Sequence, residues 1–184
     1  MKTNVLVCLL LMSSANVRLT AQDQSPVATW KYPISVASSA DAIYVADRQL
    51  PGIWLVKDGK AEVFFQADKK FGSALNAIRC LAFDQSGHLV VGDSATRDVY
   101  RFDEQRVPHA LTGGKIGIPM GIAVAKDGSL FVSDLELKQI VRILVDSKNV
   151  EVVATVAAPT GLALAANGDV LVVCRAKDPV RRVT

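Results

Sequence analysis

The sequence predicts an all-β fold of short antiparallel strands, and three observations support this. Half of the 184 residues are hydrophobic and 21% are charged, a balance that allows the chain to bury a core. Apolar and polar residues alternate over short runs, which is the period of a β-strand. Asp-Gly and Asn-Gly dipeptides separate pairs of these runs, as in tight hairpins. No long stretch has the apolar spacing of a helix.

An internal repeat organises these strands. Four segments align, and the last three need no gap: ISVASSADAIYVAD (34–47), CLAFDQSGHLVVGD (80–93), GIAVAKDGSLFVSD (121–134) and GLALAANGDVLVVC (161–174). Each contains two apolar alternations around a turn and ends in Asp, except that the fourth ends in Cys174. A third strand follows each pair, and a fourth strand follows in the first three units.

The length of the repeat predicts a β-propeller. Four short strands in roughly 40–46 residues are typical of one propeller blade. The predicted blades lie near residues 33–66, 78–111, 119–156 and 159–184, within a single domain over 22–184. Each blade is expected to bury its two faces against its neighbours.

The repeats resemble those of a known superfamily. The segments PMGIAVAKDGSLFVSDLELKQIVRI (119–143) and PTGLALAANGDVLVV (159–173) resemble NHL repeats and the six-bladed superfamily that includes the gluconolactonase-like (senescence marker protein) enzymes. The resemblance implies six blades, which would need roughly 250 residues. We therefore predict that the chain is the N-terminal part of a six-bladed propeller. In the alternative, residues 27–32 add an outer strand to blade four and close a four-bladed ring.

Residues 1–21 have the layout of a secretory signal peptide, with a basic residue, an apolar run and then small residues. Cleavage after Ala21 or after Ala15 fits this layout. The apolar run, residues 5–12, is too short to span a bilayer, so we expect no membrane span. Loss of the two basic residues in 1–21 lowers the formal charge from +3 to +1. We therefore expect a secreted or periplasmic protein without a nucleic-acid partner.

One face of the predicted propeller gathers the candidate site residues. In antiparallel blades, the ends of second strands and the starts of first strands share a face. The ligand-face candidates there are Asp47, Asp93, Asp134, Asn76, Met120 and Thr160. Asn76, Asp93 and Asp134 are also weak candidates for a Ca²⁺ site, because Ca²⁺ prefers oxygen ligands. The alternative interpretation makes each aspartate a cap on the turn into the third strand, and their regular repetition favours it.

The predicted function is binding. We expect the channel face to present a surface to a small molecule or a protein partner, with no cofactor and no catalytic residue identified. The alternative that the resemblance implies is a Ca²⁺-dependent lactonase or hydrolase, with a Glu on an early inner strand and Asn before Gly at inner-strand starts. The early strand, 33–36, contains no Glu, and the Asn-Gly positions contain Met120-Gly121 and Thr160-Gly161. The sequence therefore assigns no enzymatic activity.

We predict structural or surface roles for the cysteines and the histidines. Cys80 and Cys174 fall two blades apart, beyond the reach of a disulfide, so we predict two unpaired thiols. His88 and His109 fall in a hairpin turn and on an outer strand, where surface roles are usual.

Three arginines recur on third strands, namely Arg101, Arg142 and Arg182. We predict that they pair across strands with acidic neighbours such as Asp98 or Glu151.

Overall fold

The computed structural model describes residues 30–70, 72–146 and 148–184, and the predicted signal peptide lies outside them. The described residues contain fifteen strands and no helix. The strands are β1 Pro33–Ser38, β2 Ile43–Asp47, β3 Gly52–Lys57, β4 Lys60–Gln66, β5 Ile78–Phe83, β6 Leu89–Asp93, β7 Asp98–Phe102, β8 Pro108–Ala110, β9 Pro119–Val124, β10 Leu130–Asp134, β11 Gln139–Leu144, β12 Asn149–Thr155, β13 Pro159–Leu164, β14 Val170–Cys174 and β15 Val180–Val183.

The strands form four antiparallel sheets in sequential order. β1–β4, β5–β8 and β9–β12 are four-stranded sheets, and β13–β15 is three-stranded. The first strands, β1, β5, β9 and β13, lie next to one another, so each sheet is a propeller blade with its first strand innermost. This confirms the predicted all-β propeller fold.

The hairpin turns explain why a glycine lies between the first two strands of blades two, three and four. Gly87, Gly128 and Gly168 occupy the same position between the first two strands of blades two, three and four, and each has a φ between 80° and 94°. Side chains other than Gly rarely adopt this left-handed conformation. The amide of each Gly donates to the carbonyl three residues earlier and closes the turn.

The hydrophobic core lies between blades and not within a single sheet. Ile53, Val99 and Ile140 occupy equivalent third-strand positions and are fully buried at successive blade boundaries. Val180 has the same position in blade four and is 62% exposed. The burial of a repeat position therefore depends on whether a following blade covers it.

Blade one lies at the other end of the row of blades, and the face that it turns away from blade two is also apolar. Val36, Val45, Trp54 and Val63 are aligned across the four strands of this sheet. Trp30 packs edge-to-face on Trp54, with ring centroids 5.7 Å apart. Thus the described part of segment 27–32 lies beside blade one, whereas the described residues of blade four form the three strands β13–β15.

Candidate ligand face at the channel mouth

Buried aspartates end the second strands of the first three blades. Asp93 is fully buried, and each of its carboxylate oxygens accepts at least two hydrogen bonds. Oδ1 accepts from the amides of Ala77 (2.9 Å) and Ala95 (3.2 Å). Oδ2 accepts from the amide of Leu75 (3.1 Å) and from the amide and hydroxyl of Thr96 (3.1 and 2.7 Å). Asp93 therefore fastens the loop before β5 to the turn before β7.

Asp134 has the same role in blade three. It is fully buried, and it accepts hydrogen bonds from the amides of Gly117 (2.8 Å), Ile118 (3.1 Å) and Leu137 (3.1 Å). These donors lie before β9 and in the turn before β11. They are equivalent in place to the donors to Asp93, which lie before β5 and in the turn before β7. A carboxylate that accepts several amide hydrogen bonds satisfies donors that would otherwise be buried without a partner.

Asp47 completes the set in blade one. Burial acts to raise its pKa, but hydrogen bonds from the amides of Lys31, Gln49 and Tyr32 outweigh burial and hold the pKa below its usual range. The carboxylate is therefore ionised at neutral pH. The three aspartates act as turn caps, and backbone donors occupy their oxygens.

Every innermost strand carries a β-bulge at the same place. The register with the second strand shifts just after the first residue of β1, β5, β9 and β13. The residues left out of the pairing are Ile34, Arg79, Met120 and Thr160, the last together with Gly161. We call Ile34, Arg79, Met120 and Thr160 the bulge ring. Bulges are common beside binding sites, because they redirect a side chain out of the regular ladder.

The bulge ring lies at the starts of the four innermost strands and is chemically varied. Its four members are half-buried and start the strands that surround the channel. Arg79 Nε donates to Ser94 Oγ (3.0 Å), and the Thr160 hydroxyl donates to the carbonyl of Val173 (3.0 Å). The aspartate caps repeat from blade to blade, whereas the ring holds a different side chain in each blade. Such variation at one repeat position is what a specific site requires, because its contacts must differ around the ligand.

The sequence identified part of this ring. Met120 and Thr160 were expected on the ligand face and belong to the ring. Asn76, a third candidate, lies in the loop before β5, and its Nδ2 donates to the carbonyl of Asp68 (2.6 Å). Ile34 and Arg79 were missed, although the ungapped repeat alignment makes Arg79 equivalent to Met120. That equivalence was the signal that could have found it.

The cysteines and histidines are not members of the ring. Cys80 and Cys174 are buried free thiols, as predicted, and burial raises the pKa of Cys80 to about 12. His88 lies in the turn between β5 and β6. His109, on β8, contacts Asp103 through Nε2 at 2.7 Å.

The third-strand arginines pair with residues that differ from the predicted ones. Arg101 Nε lies 2.6 Å from Oδ2 of Asp84, in the hairpin turn of its own blade. Asp98, the predicted neighbour, is buried and accepts hydrogen bonds from the amide and hydroxyl of Thr112. The predicted partner of Arg101 was wrong because the prediction considered only acidic residues on adjacent strands. The observed partner lies in the turn between β5 and β6.

The same correction applies to the next two blades. Arg142 is opposite Glu151 in the ladder between β11 and β12, but its guanidinium bonds to Asp127. Arg182 pairs with Asp169, with Nε and Oδ2 3.6 Å apart. One arginine–aspartate pair therefore ties the third strand to the first hairpin turn in each of blades two, three and four.

The described residues contain neither a metal-binding cluster nor a membrane-spanning helix. In 30–70, 72–146 and 148–184, no group of three or more His, Cys, Asp or Glu side chains is arranged to hold a metal ion. Within the same ranges, no helix is long and apolar enough to cross a membrane.

Comparison with solved structures places the chain in the class of β-propellers. No protein-family profile and no curated protein matches it. It is similar to a catalytically inactive virginiamycin B lyase from Staphylococcus aureus, solved with quinupristin, with a TM-score of 0.72 and 15% identity over 86% of this chain and 54% of the lyase. It is also similar to a gluconolactonase from Xanthomonas campestris, with a TM-score of 0.69 and 18% identity over 82% of this chain and 57% of that one.

A nidogen/laminin complex gives a third similarity, with a TM-score of 0.67 and 20% identity over 79% of this chain and 57% of that one. The chain therefore spans about half the length of the structures that it matches. At these identities, the similarity confirms the predicted resemblance at the level of the fold.

Proposed function

We propose that the protein is an exported β-propeller that binds a small molecule at the bulge ring. This proposal rests on a contrast between two sets of residues. The capping aspartates repeat from blade to blade, whereas the bulge ring holds a different side chain in each blade. The aspartates of the face are engaged by backbone amides, whereas the four ring residues are half-buried, unpaired in the ladder and different from one another. Non-identical side chains that converge at the mouth of a channel are the usual lining of a ligand site.

A metal-dependent hydrolase is the weaker candidate. Ca²⁺ needs several oxygen atoms with free lone pairs. Asp93 and Asp134 already accept hydrogen bonds on both carboxylate oxygens, and Asn76 is tied to its own loop. These residues, the candidates from the sequence, are therefore better suited to hold the loops than to hold a cation.

The ring contains a reporter that can test the proposal. Met120 is one of three methionines, and the others are Met1 and Met12. In the full chain labelled with ¹³C at the methionine methyl groups, the Met120 signal is assigned by comparison with Met120→Leu. We expect at least one compound of a small-molecule fragment set to shift this signal in a saturable way.

A matched pair of threonine variants gives the control. Thr160 belongs to the ring, whereas Thr155 is exposed at the end of β12. Thr160→Val should weaken binding of the fragment several-fold, and Thr155→Val should leave its affinity unchanged. Fragments that bind without shifting Met120, or equal losses in both variants, would contradict the proposed site.

Export is a separate part of the proposal and rests on the layout of residues 1–21. When the full chain is produced in a secreting bacterial host, we expect a protein outside the cytoplasm whose N-terminus is Gln22 or Asn16. N-terminal sequencing of the purified protein decides this. An intact N-terminus on cytoplasmic protein would refute export and would leave the binding site untested by that experiment.

A further inference from the structure

Arg79 is the charged member of the bulge ring, and the structure holds it in place without neutralising it. Its Nε donates to Ser94 Oγ, and the Ser94 hydroxyl donates in turn to the carbonyl of Ala77 (3.0 Å). Among the described residues, no carboxylate lies within ion-pair distance of Arg79. The terminal nitrogens of its guanidinium therefore have no acidic partner in this part of the chain.

Most other described arginines are paired, and the two without an ion pair, Arg48 and Arg175, are exposed. Arg101, Arg142 and Arg182 each contact an aspartate of their own blade, and Arg97 contacts Glu136 of the next blade at 3.1 Å. A half-buried cation without an anion is costly unless water or a ligand compensates it. Among the described residues, Arg79 is the half-buried arginine without an acidic partner, and it lies at the start of an innermost strand.

The face around the bulge ring is basic. The loops around the bulge ring carry many exposed basic residues, including Lys69, Lys70, Arg97, Lys115, Lys138 and Arg175. Their exposed acidic residues are Asp68, Glu136 and Asp178, and the basic residues remain in excess when the buried aspartate caps are added. On the opposite face, aspartates of the hairpin turns pair with basic side chains, including Asp41 with Lys57 and Asp127 with Arg142. A face of one sign attracts ligands of the opposite sign and raises their rate of association.

We propose that the bulge ring binds a small amphipathic anion, whose carboxylate or phosphate group contacts Arg79. This inference rests on the proposed binding function and names its ligand class. A guanidinium binds either group through two parallel hydrogen bonds. Ile34 and Met120 offer apolar contacts to the rest of the ligand, and Thr160 offers a hydroxyl.

Three probes of similar shape test the proposal: phenylacetate, phenyl phosphate and the neutral phenylacetamide. Affinity is measured on the full chain from the Met120 methyl signal, at low and at high salt. We expect at least one anion to bind at least 10-fold more tightly than the amide, with an affinity that falls as salt rises. The anion that binds more tightly identifies the preferred group.

Variants distinguish a contact between the anion and Arg79 from a general effect of positive charge on the protein. Arg79→Gln should weaken the anion at least 10-fold and leave the amide unchanged, whereas Arg79→Lys should retain part of the affinity. Arg106→Gln is the matched control, because Arg106 belongs to the same blade but lies in a turn of the opposite face. Thermal unfolding of each variant shows that the effects do not come from loss of the fold.

The outcomes distinguish this inference from the proposed function. If the amide binds as tightly as the anions, or if Arg79→Gln binds them like the native protein, the anion inference is overturned and the binding site stands. If none of the three probes shifts Met120, the anion inference is also overturned. The binding function itself falls only if the wider set of neutral fragments fails as well.

Discussion

Asp93→Asn tests the cap role of the buried aspartates with the smallest possible change. Asn has the shape of Asp, but an amino group replaces one carboxylate oxygen. If the remaining oxygen takes the place of Oδ1, the amides of Ala77 and Ala95 keep their acceptor. The amides of Leu75 and Thr96 then lose theirs and face a second donor.

The expected cost follows from these two orphaned donors. Each buried donor without a partner costs about 1–3 kcal/mol. Leu75 is fully buried, so water does not replace the lost acceptor there. The free energy of unfolding should therefore fall by about 2–6 kcal/mol in Asp93→Asn. This is a large part of the stability of a domain of this size.

Asp47→Asn is the matched control. Oδ1 of Asp47 accepts from Tyr32, Gln49 and Leu50, and Oδ2 accepts from Lys31. The substitution therefore removes the acceptor of one amide, on a residue that is exposed and can bond to water. We expect a loss of about 1–2 kcal/mol, well below that of Asp93→Asn.

Urea unfolding followed by circular dichroism and by tryptophan fluorescence measures both losses. Fluorescence reports on blade one, because Trp30 and Trp54 pack together there, and coincident transitions would justify a two-state treatment. A loss below about 0.5 kcal/mol in Asp93→Asn, or a larger loss in Asp47→Asn, would refute the reasoning. If Asp93 binds Ca²⁺ instead, millimolar Ca²⁺ would raise the melting temperature of the native protein and not that of the variant.

Three further predictions concern packing and pH. Ile140→Ala, at a fully buried position, should destabilise the protein by about 2–5 kcal/mol, whereas Val180→Ala, at the equivalent position in blade four, should cost well under about 1 kcal/mol in the same urea experiment. A Cβ at Gly92 would lie 2.5 Å from the sulfur of Cys80, so Gly92→Ala should cost about 1–3 kcal/mol. The double variant with Cys80→Ala should recover part of this loss, and strict additivity of the two changes would contradict the contact. The hydroxyl and amide of Ser129, with Arg142, lower the pKa of Asp127 to about 2, so ionised Asp127 stabilises the fold above about pH 4 and that contribution is lost as the pH falls through about 2. The stability deficit of Asp127→Asn at neutral pH should therefore disappear on acidification, and a deficit that stays constant down to pH 2 would exclude this linkage.

The strands and turns of the fold were predictable because their signals are local. Alternation of apolar residues marks each strand, and Gly87, Gly128 and Gly168 mark the turns that need a left-handed conformation. The repeat then placed equivalent strands in equivalent blades, and the structure confirms their order. Alternation also predicted an apolar position at Val180, but it gave no information on whether another blade covers that position.

The candidate site was predictable only in part. Antiparallel strands bring the ends of second strands to the starts of first strands, so the sequence predicted that Met120 and Thr160 share a face with these ends. Arg79 was missed because it lies within a strand pattern that otherwise looks like core. It belongs to the proposed site because of a bulge, and a bulge is a property of the register between two strands.

The sequence by itself determined the blades of this protein, their turns and the capping aspartates, because these depend on the periodicity and conformational preferences of neighbouring residues. Only the tertiary structure decided which donors surround Asp93, which aspartate pairs with Arg101, and that Arg79 has no acidic partner among the described residues. These contacts join residues from separate loops and strands. Their choice depends on strand register and on the packing of blades, and neither is contained in a local pattern.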